Sequence, residues 1–157
     1  MPNWCLNEVS IYCPDEETRD KVVKWMEGTR EERFPDPDNE GEHVVQQVPC
    51  VISFASILPE PKHTIEGEGI DQKYMLENGE PYDWYNWRCQ NWGTKWEPDI
   101  IHFDRPSEEE IYFELYTAWA PPNGIYEAIM EKWEDEGVHV NWFYREDGMQ
   151  FAGWLPE

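Results

Sequence analysis

The segment EIYFELYTAW, which runs from Glu110 to Trp119, decides the fold class of this 157-residue chain. Apolar side chains alternate with polar and tyrosine side chains, so one face of the strand carries Ile111, Phe113 and Leu115, and the other carries Tyr112, Glu114 and Tyr116. A period of two residues is typical of a β-strand with one buried face. The segment therefore predicts a strand in a sheet that is covered on one side.

The residues around this strand predict a hairpin partner before it and a helix after it. DIIHF, from residue 99 to residue 103, predicts a strand that a turn-rich interval over 104–107 connects to the first. A helix begins at the sequence PPN over 121–123, carries Ile125, Ile129 and Trp133 at intervals of four residues, and ends at Gly137. VHVNWFY and MQFAGWL then flank an Asp-Gly step, which is typical of a hairpin.

The start of the chain predicts another strand and another helix. In WCLNEVSIYC the inward candidates are Cys5, Val9 and Ile11. Pro14 and the acidic residues 15–17 suit a helix N-terminus, where carboxylates face the positive end of the helix dipole, and Gly28 is a suitable stop.

The middle of the chain predicts a third strand and a short helix. CVISFASILP, from 50 to 59, predicts a buried strand, and residues 60–81 predict an irregular segment. A short Trp-rich helix begins near Trp84 and ends at Gly93. Helices interleaved with antiparallel pairs predict an α+β fold with helices packed on one face of the sheet.

Length and charge limit the organisation and the partners. The chain fits one domain over residues 1–157, and 34 acidic against 12 basic residues give a formal net charge of -22. This negative charge opposes direct binding to nucleic acid. The charged segment from Thr29 to Gln47 contains two prolines, so it predicts an acidic loop or insertion within residues 29–49.

Four scattered cysteines lack the spacing of structural zinc sites, so we expect free thiols, and we expect no cofactor or metal. His102 and Asp104 fall two apart on a predicted strand, but a metal site needs three or more converging ligands. Neither a basic, apolar leader nor a membrane-spanning segment is expected, so the cytoplasm is the predicted compartment.

Four blocks, MPNWCLN, FASILPEP, WYNWRCQNWGTKW and TAWAPP, resemble the YubB-type ferredoxin-like family of phage and plasmid proteins. The resemblance covers most of the chain and implies a ferredoxin-like antiparallel sheet in an accessory protein of a mobile element. It implies no biochemical activity, because none is established for the family. Cys13 stands where such a sequence would have glycine, and the acidic loop lies outside the four blocks.

The Trp-rich segment has two interpretations. As a functional site it would be an aromatic platform for a flat ligand, with Arg88 and Lys95 available for a phosphate. As a structural element it would be core, and this is the interpretation for Trp84 and Trp87. Trp92 and Trp96 are the candidates for an exposed or half-exposed edge because polar residues and glycine flank them.

The carboxylates also have two interpretations. They could imitate a phosphate backbone, whose duplex form carries about one charge per 1.7 Å, or they could only maintain solubility. The candidate interaction residues are Glu31, Glu32, Asp36, Asp38, Glu40, Glu42, Glu108, Glu109, Glu110, Glu131, Glu134, Asp135 and Glu136.

Two functional hypotheses follow. The first is a non-enzymatic accessory protein of a phage or plasmid that binds a basic host protein, for example one that handles nucleic acid, as a DNA mimic or an anti-defence inhibitor. The second is a small-ligand binder, for a nucleotide-like ligand, or an enzyme without a known motif, that uses a pocket at Arg88, Trp92, Lys95 and Trp96.

Overall fold

A computed structural model describes residues 3–156, and Met1, Pro2 and Glu157 of the predicted 1–157 domain lie outside this range. The described residues contain nine strands and four α-helices. In chain order these are β1 (Trp4–Tyr12), α1 (Glu16–Met26), β2 (Gly28–Pro35), β3 (His43–Cys50), α2 (Phe54–Ile57), β4 (His63–Glu66), β5 (Lys73–Leu76), α3 (Trp84–Asn91), β6 (Asp99–Ser107), β7 (Glu110–Ala118), α4 (Asn123–Trp133), β8 (His139–Glu146) and β9 (Phe151–Leu155).

Five strands form one antiparallel sheet in the order β6-β7-β1-β8-β9. The predicted α+β class with an antiparallel sheet is confirmed. The predicted inward residues of β1 are fully buried, as are Ile111 and Leu115 on β7, and Phe113 is 1% exposed. Alternation in these two strands follows from their position at the centre of the sheet, where one face meets the core and the other does not.

Helices α1 and α4 contribute to the same core as the buried sheet face. Helix α1 buries Val22, Val23 and Met26, and α4 buries Ile125, Ile129 and Trp133 on one side. Asp15 caps α1 by accepting a hydrogen bond from the Thr18 amide at 2.7 Å. No helix within residues 3–156 is long and apolar enough to cross a membrane.

The prediction of a loop over 29–49 is wrong, because these residues form a hairpin of β2 and β3. Pairing runs from Gly28 opposite Cys50 to Pro35 opposite His43. Most side chains of the hairpin are exposed on both of its faces, and its sequence shows no alternation of apolar and polar residues. A two-stranded ribbon also tolerates prolines, because its outer edges need no donor.

Two further predictions are wrong in the middle of the chain. The segment 50–59 is the end of β3 followed by the short helix α2, which Ser53 caps through the Ser56 amide at 3.2 Å. Residues 60–81, predicted as irregular, include the β4–β5 hairpin. The first error arises because a buried apolar run of this length fits a strand or a helix equally well. The second arises because a short exposed hairpin shows no hydrophobic period.

Candidate functional site

Arg88, a predicted ligand-binding cation, is already engaged within the protein. Its Nε and Nη2 atoms donate to Glu60 Oε1 at 2.9 and 2.7 Å, and Nη1 donates to the Lys95 carbonyl at 3.3 Å. The guanidinium carbon lies 4.7 Å from the ring centroid of Trp92 and 5.2 Å from that of Trp84. An arginine with these partners ties α3 to the segment after α2.

Trp92 is fully buried, so the prediction of an exposed or half-exposed edge is wrong for this residue. Its Nε1–H donates to the Leu58 carbonyl at 2.9 Å, and its ring packs edge-on against Phe54 and Trp87. Trp84 and Trp87, predicted as core, are only half-buried. Trp92, which directly follows α3, thus lies in the core, whereas the helix itself lies near the surface.

Lys95 is enclosed by aromatic rings of this chain. Its Nζ lies 4.2 Å from the Trp96 ring centroid and 4.0 Å from that of Trp119, with Tyr85 at 6.0 Å. Trp96 is 37% exposed, as predicted, and contacts Trp4. Trp119 was not a predicted site residue, because the link between it and Lys95 depends on tertiary structure.

The four predicted aromatic-site residues do not form one pocket. Arg88 and Trp96 line a cleft of about 440 Å³ together with His63, Tyr74 and Trp84. Arg88 and Trp92 instead line a second cleft of about 590 Å³ beside β2. Lys95 lines neither of these two clefts. Arg88 and Lys95, which the sequence predicted to bind one phosphate together, therefore do not line a common cleft.

The acidic residues of the β2–β3 hairpin form one of the predicted groups. Glu31, Asp38, Glu40 and Glu42 are exposed, and Glu32 and Asp36 are half-buried. Asp36 accepts hydrogen bonds from Asn39 Nδ2 at 3.0 Å and from the Asp38 amide at 2.9 Å, and these bonds lower the pKa of its carboxyl group. This group therefore contains a structured turn as well as free carboxylates.

The other predicted acidic residues, apart from Glu131, lie in segments that meet at the opposite end of α1. The β6–β7 turn contacts the start of α1, because the Cys13 amide donates to the Glu109 carbonyl at 2.7 Å and Arg19 Nη1 donates to the Ser107 carbonyl at 2.7 Å. Gly137 lies against Pro14, which brings the end of α4 to the same place.

We name this region the acidic end. It consists of Asp15, Glu16, Glu17, Glu108, Glu109, Glu110, Glu134, Asp135 and Glu136. Two cations of α1 are paired with carboxylates of the same helix, Arg19 with Glu16 and Asp20, and Lys21 with Glu17. Glu131 is exposed one turn before the end of α4. The hairpin group lies away from this end, since β2 begins after α1 and 11 helical residues span roughly 16 Å.

The uncovered face of the sheet carries a group of residues that sequence reasoning missed. A row of side chains crosses all five strands in register, in the order Trp154, Phe143, Glu8, Glu114 and His102. Successive residues of a strand point to opposite faces, so this row lies opposite the core face. Strand order and register, which bring these residues together, cannot be obtained from one sequence.

Glu8 and Glu114 lie directly opposite each other in this row. The Tyr112 hydroxyl donates to Glu114 Oε1 at 2.7 Å. This hydrogen bond to a carboxylate, with desolvation and the negative charges of Glu114 and Glu8, raises the pKa of Tyr112 to about 12. Tyr112 and Glu8, with Ser10, Asn141, Phe143 and Trp154, line a depression of about 450 Å³.

The histidines and cysteines of residues 3–156 form no metal site. His102 and Asp104 are near neighbours on the sheet face, but residues 3–156 contain no group of three or more His, Cys, Asp or Glu side chains placed to hold a metal ion. The four cysteines are free thiols, and burial raises the pKa of Cys5 and of Cys13 to about 11. These two thiols are protonated at neutral pH and are poor nucleophiles.

Comparison with protein-family models, with curated proteins and with solved structures finds no match for this chain. The resemblance to the YubB-type family therefore stays a prediction, and function has to be argued from the surfaces described above.

Proposed function

We propose that this protein is a non-enzymatic interaction protein of a phage or plasmid that binds a basic host protein in the cytoplasm through its acidic surface. The observation that carries the proposal is the acidic end, where three separate acidic segments of the chain come into contact. Arg19 and Lys21 are paired with carboxylates of α1, and all residues of the acidic end except Glu110 are exposed, so most of the negative charge faces solvent.

Electrostatics supports a basic partner. A net charge of -22 produces a negative field that attracts lysine- and arginine-rich surfaces and repels nucleic acid. Duplex DNA carries about one charge per 1.7 Å, and a dense carboxylate surface can compete for the groove of a protein that binds it. We propose such a nucleic-acid-handling or defence protein as the target.

We also infer a ferredoxin-like arrangement for the core. The order β1-α1-β6-β7-α4-β8 follows the βαββαβ pattern, and these four strands lie as β6-β7-β1-β8, with β1 antiparallel to both neighbours. In this interpretation α1 and α4 are the two main helices, β9 extends the sheet, and β2 to α3 form an insertion. This arrangement supports the resemblance to the YubB-type family.

Two matched charge variants test the function. Glu108→Gln/Glu109→Gln/Asp135→Asn removes three charges from the acidic end, and Asp38→Asn/Glu40→Gln/Glu42→Gln removes three from the hairpin. Partners are first captured from host lysate at low salt, identified by mass spectrometry, purified and then measured directly against each variant.

We expect a basic partner whose binding weakens steeply with salt, because exposed charges are screened beyond about 8 Å at physiological ionic strength. The acidic-end variant should release it at lower salt than wild type, and the hairpin variant should not. Equal losses in both variants, or capture that salt does not affect, would contradict the proposal.

A second candidate function is a small-ligand site in the cleft of about 440 Å³ between β4–β5 and α3. Its aromatic lining of Tyr74, Trp84 and Trp96, beside Arg88, favours a flat, nucleotide-like ligand. Quenching of tryptophan fluorescence by a nucleotide panel, lost in Trp96→Ala, would support this function. Trp92→Ala is unsuitable because Trp92 is core. A panel without quenching or thermal shift would exclude the cleft as such a site.

A further inference from the structure

We propose that the uncovered sheet face, centred on Glu8 and Glu114, receives an arginine side chain of the basic partner. This inference rests on the proposed function, and it names the site at which one arginine of the basic partner binds in addition to the contacts at the acidic end. We define the arginine site by Glu8, Tyr112, Glu114, Phe143 and Trp154.

Glu8 and Glu114 form an unbalanced pair of like charges. Glu8 and Glu114 are directly opposite on neighbouring antiparallel strands, where like charges destabilise a sheet. Both side chains are half-buried, so solvent screens their repulsion less than it does on the rim. Among residues 3–156 no lysine, arginine or histidine nitrogen lies within 4.0 Å of either carboxylate. A cation supplied from outside would balance the pair.

Aromatic rings form a wall beside the carboxylates. The rings of Phe143 and Trp154 lie 5.0 Å apart at 55°, and Trp154 is 62% exposed. Tyr112 borders the depression as a third ring. Planar guanidinium groups stack on aromatic faces and bind carboxylates in a bidentate manner, whereas a lysine ammonium is a compact point charge. This combination favours arginine over lysine.

The spacing of the row matches the length of an arginine side chain. Neighbouring strands are about 4.8 Å apart, so Phe143 lies roughly 5 Å from Glu8 and roughly 10 Å from Glu114 along the row. An arginine lying across the strands would place its methylene stem on the aromatic rings and its guanidinium over the carboxylates. The Tyr112 hydroxyl holds the carboxylate of Glu114 in place.

Charge also decides against the other ligand that aromatic rings on an open sheet can bind. Nucleic-acid bases stack on such rings, but they bring phosphates with them. The carboxylates of Glu8 and Glu114 would lie next to those phosphates and repel them. A cationic side chain is the ligand that uses both the rings and the carboxylates.

The test uses the intact protein and a monovalent probe, N-acetyl-arginine amide. Binding is followed by NMR at the indole N–H of Trp154, assigned through Trp154→Phe. N-acetyl-citrulline amide has the same shape without the charge, and N-acetyl-lysine amide has the charge without the planar group. Glu8→Gln/Glu114→Gln removes two charges from the site, and Asp38→Asn/Glu40→Gln removes two from the exposed β2–β3 hairpin as the matched control.

We expect the arginine probe to shift the Trp154 signal in wild type and in the hairpin control, and to bind at least tenfold more weakly to Glu8→Gln/Glu114→Gln. The citrulline probe should cause no shift, and the lysine probe a weaker one. Equal binding by the site variant, by citrulline or by lysine would overturn the assignment.

The free protein provides an independent readout. Glu8→Gln should raise Tm by more than Glu108→Gln, because it removes a like-charge contact as well as one unit of net charge. A Tm at or below that of wild type would show that Glu8 stabilises the unbound sheet and would contradict the proposal.

The failure of this inference is distinguishable from the failure of the proposed function. If Glu8→Gln/Glu114→Gln retains the captured partner while the acidic-end variant loses it, the arginine site is wrong and the acidic interaction stands. If no salt-sensitive basic partner exists, the proposed function fails, whatever the arginine probe does.

Discussion

Trp142 donates its indole Nε1–H to Asn7 Oδ1 across 2.9 Å, inside the hydrophobic core. Asn7 is fully buried on the core face of β1, between Cys5 and Val9. Its Nδ2 group donates to the carbonyls of Cys5 and Leu115 and to the Thr117 hydroxyl at 3.0 to 3.3 Å. One amide thus supplies the hydrogen-bond partner of Trp142 and links β1 to β7.

Asn7→Leu should lower the free energy of unfolding by at least about 2 kcal/mol, because it leaves the Trp142 N–H buried without an acceptor. Urea denaturation measures the loss. Asn7→Leu/Trp142→Phe removes the orphaned donor, so the double variant should lose less than the sum of the two single variants. Additive losses would show that the hydrogen bond between the two side chains contributes nothing.

The contact between α3 and α4 depends on Gly124. A Cβ placed on Gly124 would clash with the Asn91 carbonyl oxygen, and the Gly124 amide donates to the Trp92 carbonyl at 3.0 Å. Gly124→Ala should therefore cost about 3 kcal/mol or more, since backbone must move to admit one methyl group. Asn123→Ala, at the exposed neighbouring position, should change stability by no more than about 0.5 kcal/mol. Calorimetric unfolding measures the loss of stability in both variants. Equal stability of Gly124→Ala and Asn123→Ala would contradict the prediction.

Sequence patterns predicted the elements that bury one face. In β1, β7 and α4 the period of apolar residues matches the side that meets the core. The β2–β3 hairpin has solvent on both faces, so it carries no such period and was predicted as a loop. Side-chain alternation reports burial, and it identifies a strand only where burial is one-sided.

The candidate site was harder to predict than the fold. Glu8 and Glu114 each looked like an ordinary polar residue on the solvent side of its own strand, and only the pairing of β1 with β7 makes them neighbours. The acidic end was foreseen as two separate groups, at residues 108–110 and near residue 135. The third group, at the start of α1, was predicted only as a helix start.

Glu97 should make stability depend on pH. Burial raises the pKa of its carboxyl group, opposed by hydrogen bonds from the Ala55 and Phe54 amides, which lower it. The native state therefore holds the Glu97 proton more tightly than the unfolded chain does. The resulting stabilisation is present below the unfolded pKa, near the ordinary value of 4.5, and is lost as pH rises through the native pKa.

Glu97→Gln cannot ionise, so the stability of wild type relative to this variant should fall as pH rises from about 4 towards neutrality. Urea denaturation of both proteins over this range measures the difference. Glu77→Gln, at an exposed position, controls for the change in net charge alone. A difference that is constant with pH, or that grows in favour of wild type, would contradict the direction of the pKa shift.

Trp119 adopts a left-handed backbone conformation, with φ at 68°, directly after β7 ends. This conformation costs a residue with a side chain roughly 1–2 kcal/mol, and glycine adopts it without that cost. The Trp119 ring lies 4.0 Å from Lys95 Nζ, and the Trp119 amide donates to the Asn3 carbonyl at 2.8 Å.

A comparison of Trp119→Gly with Trp119→Ala separates the backbone cost from the ring contact, because both variants lose the contact with Lys95. The glycine variant should be more stable than the alanine variant by about 1 kcal/mol, although glycine has the more flexible unfolded chain. Thermal unfolding measures the order of the two. Equal stability of Trp119→Ala and Trp119→Gly would contradict this prediction. It would show that the fold does not enforce the left-handed conformation and that the tryptophan ring contributes to the positive φ of Trp119.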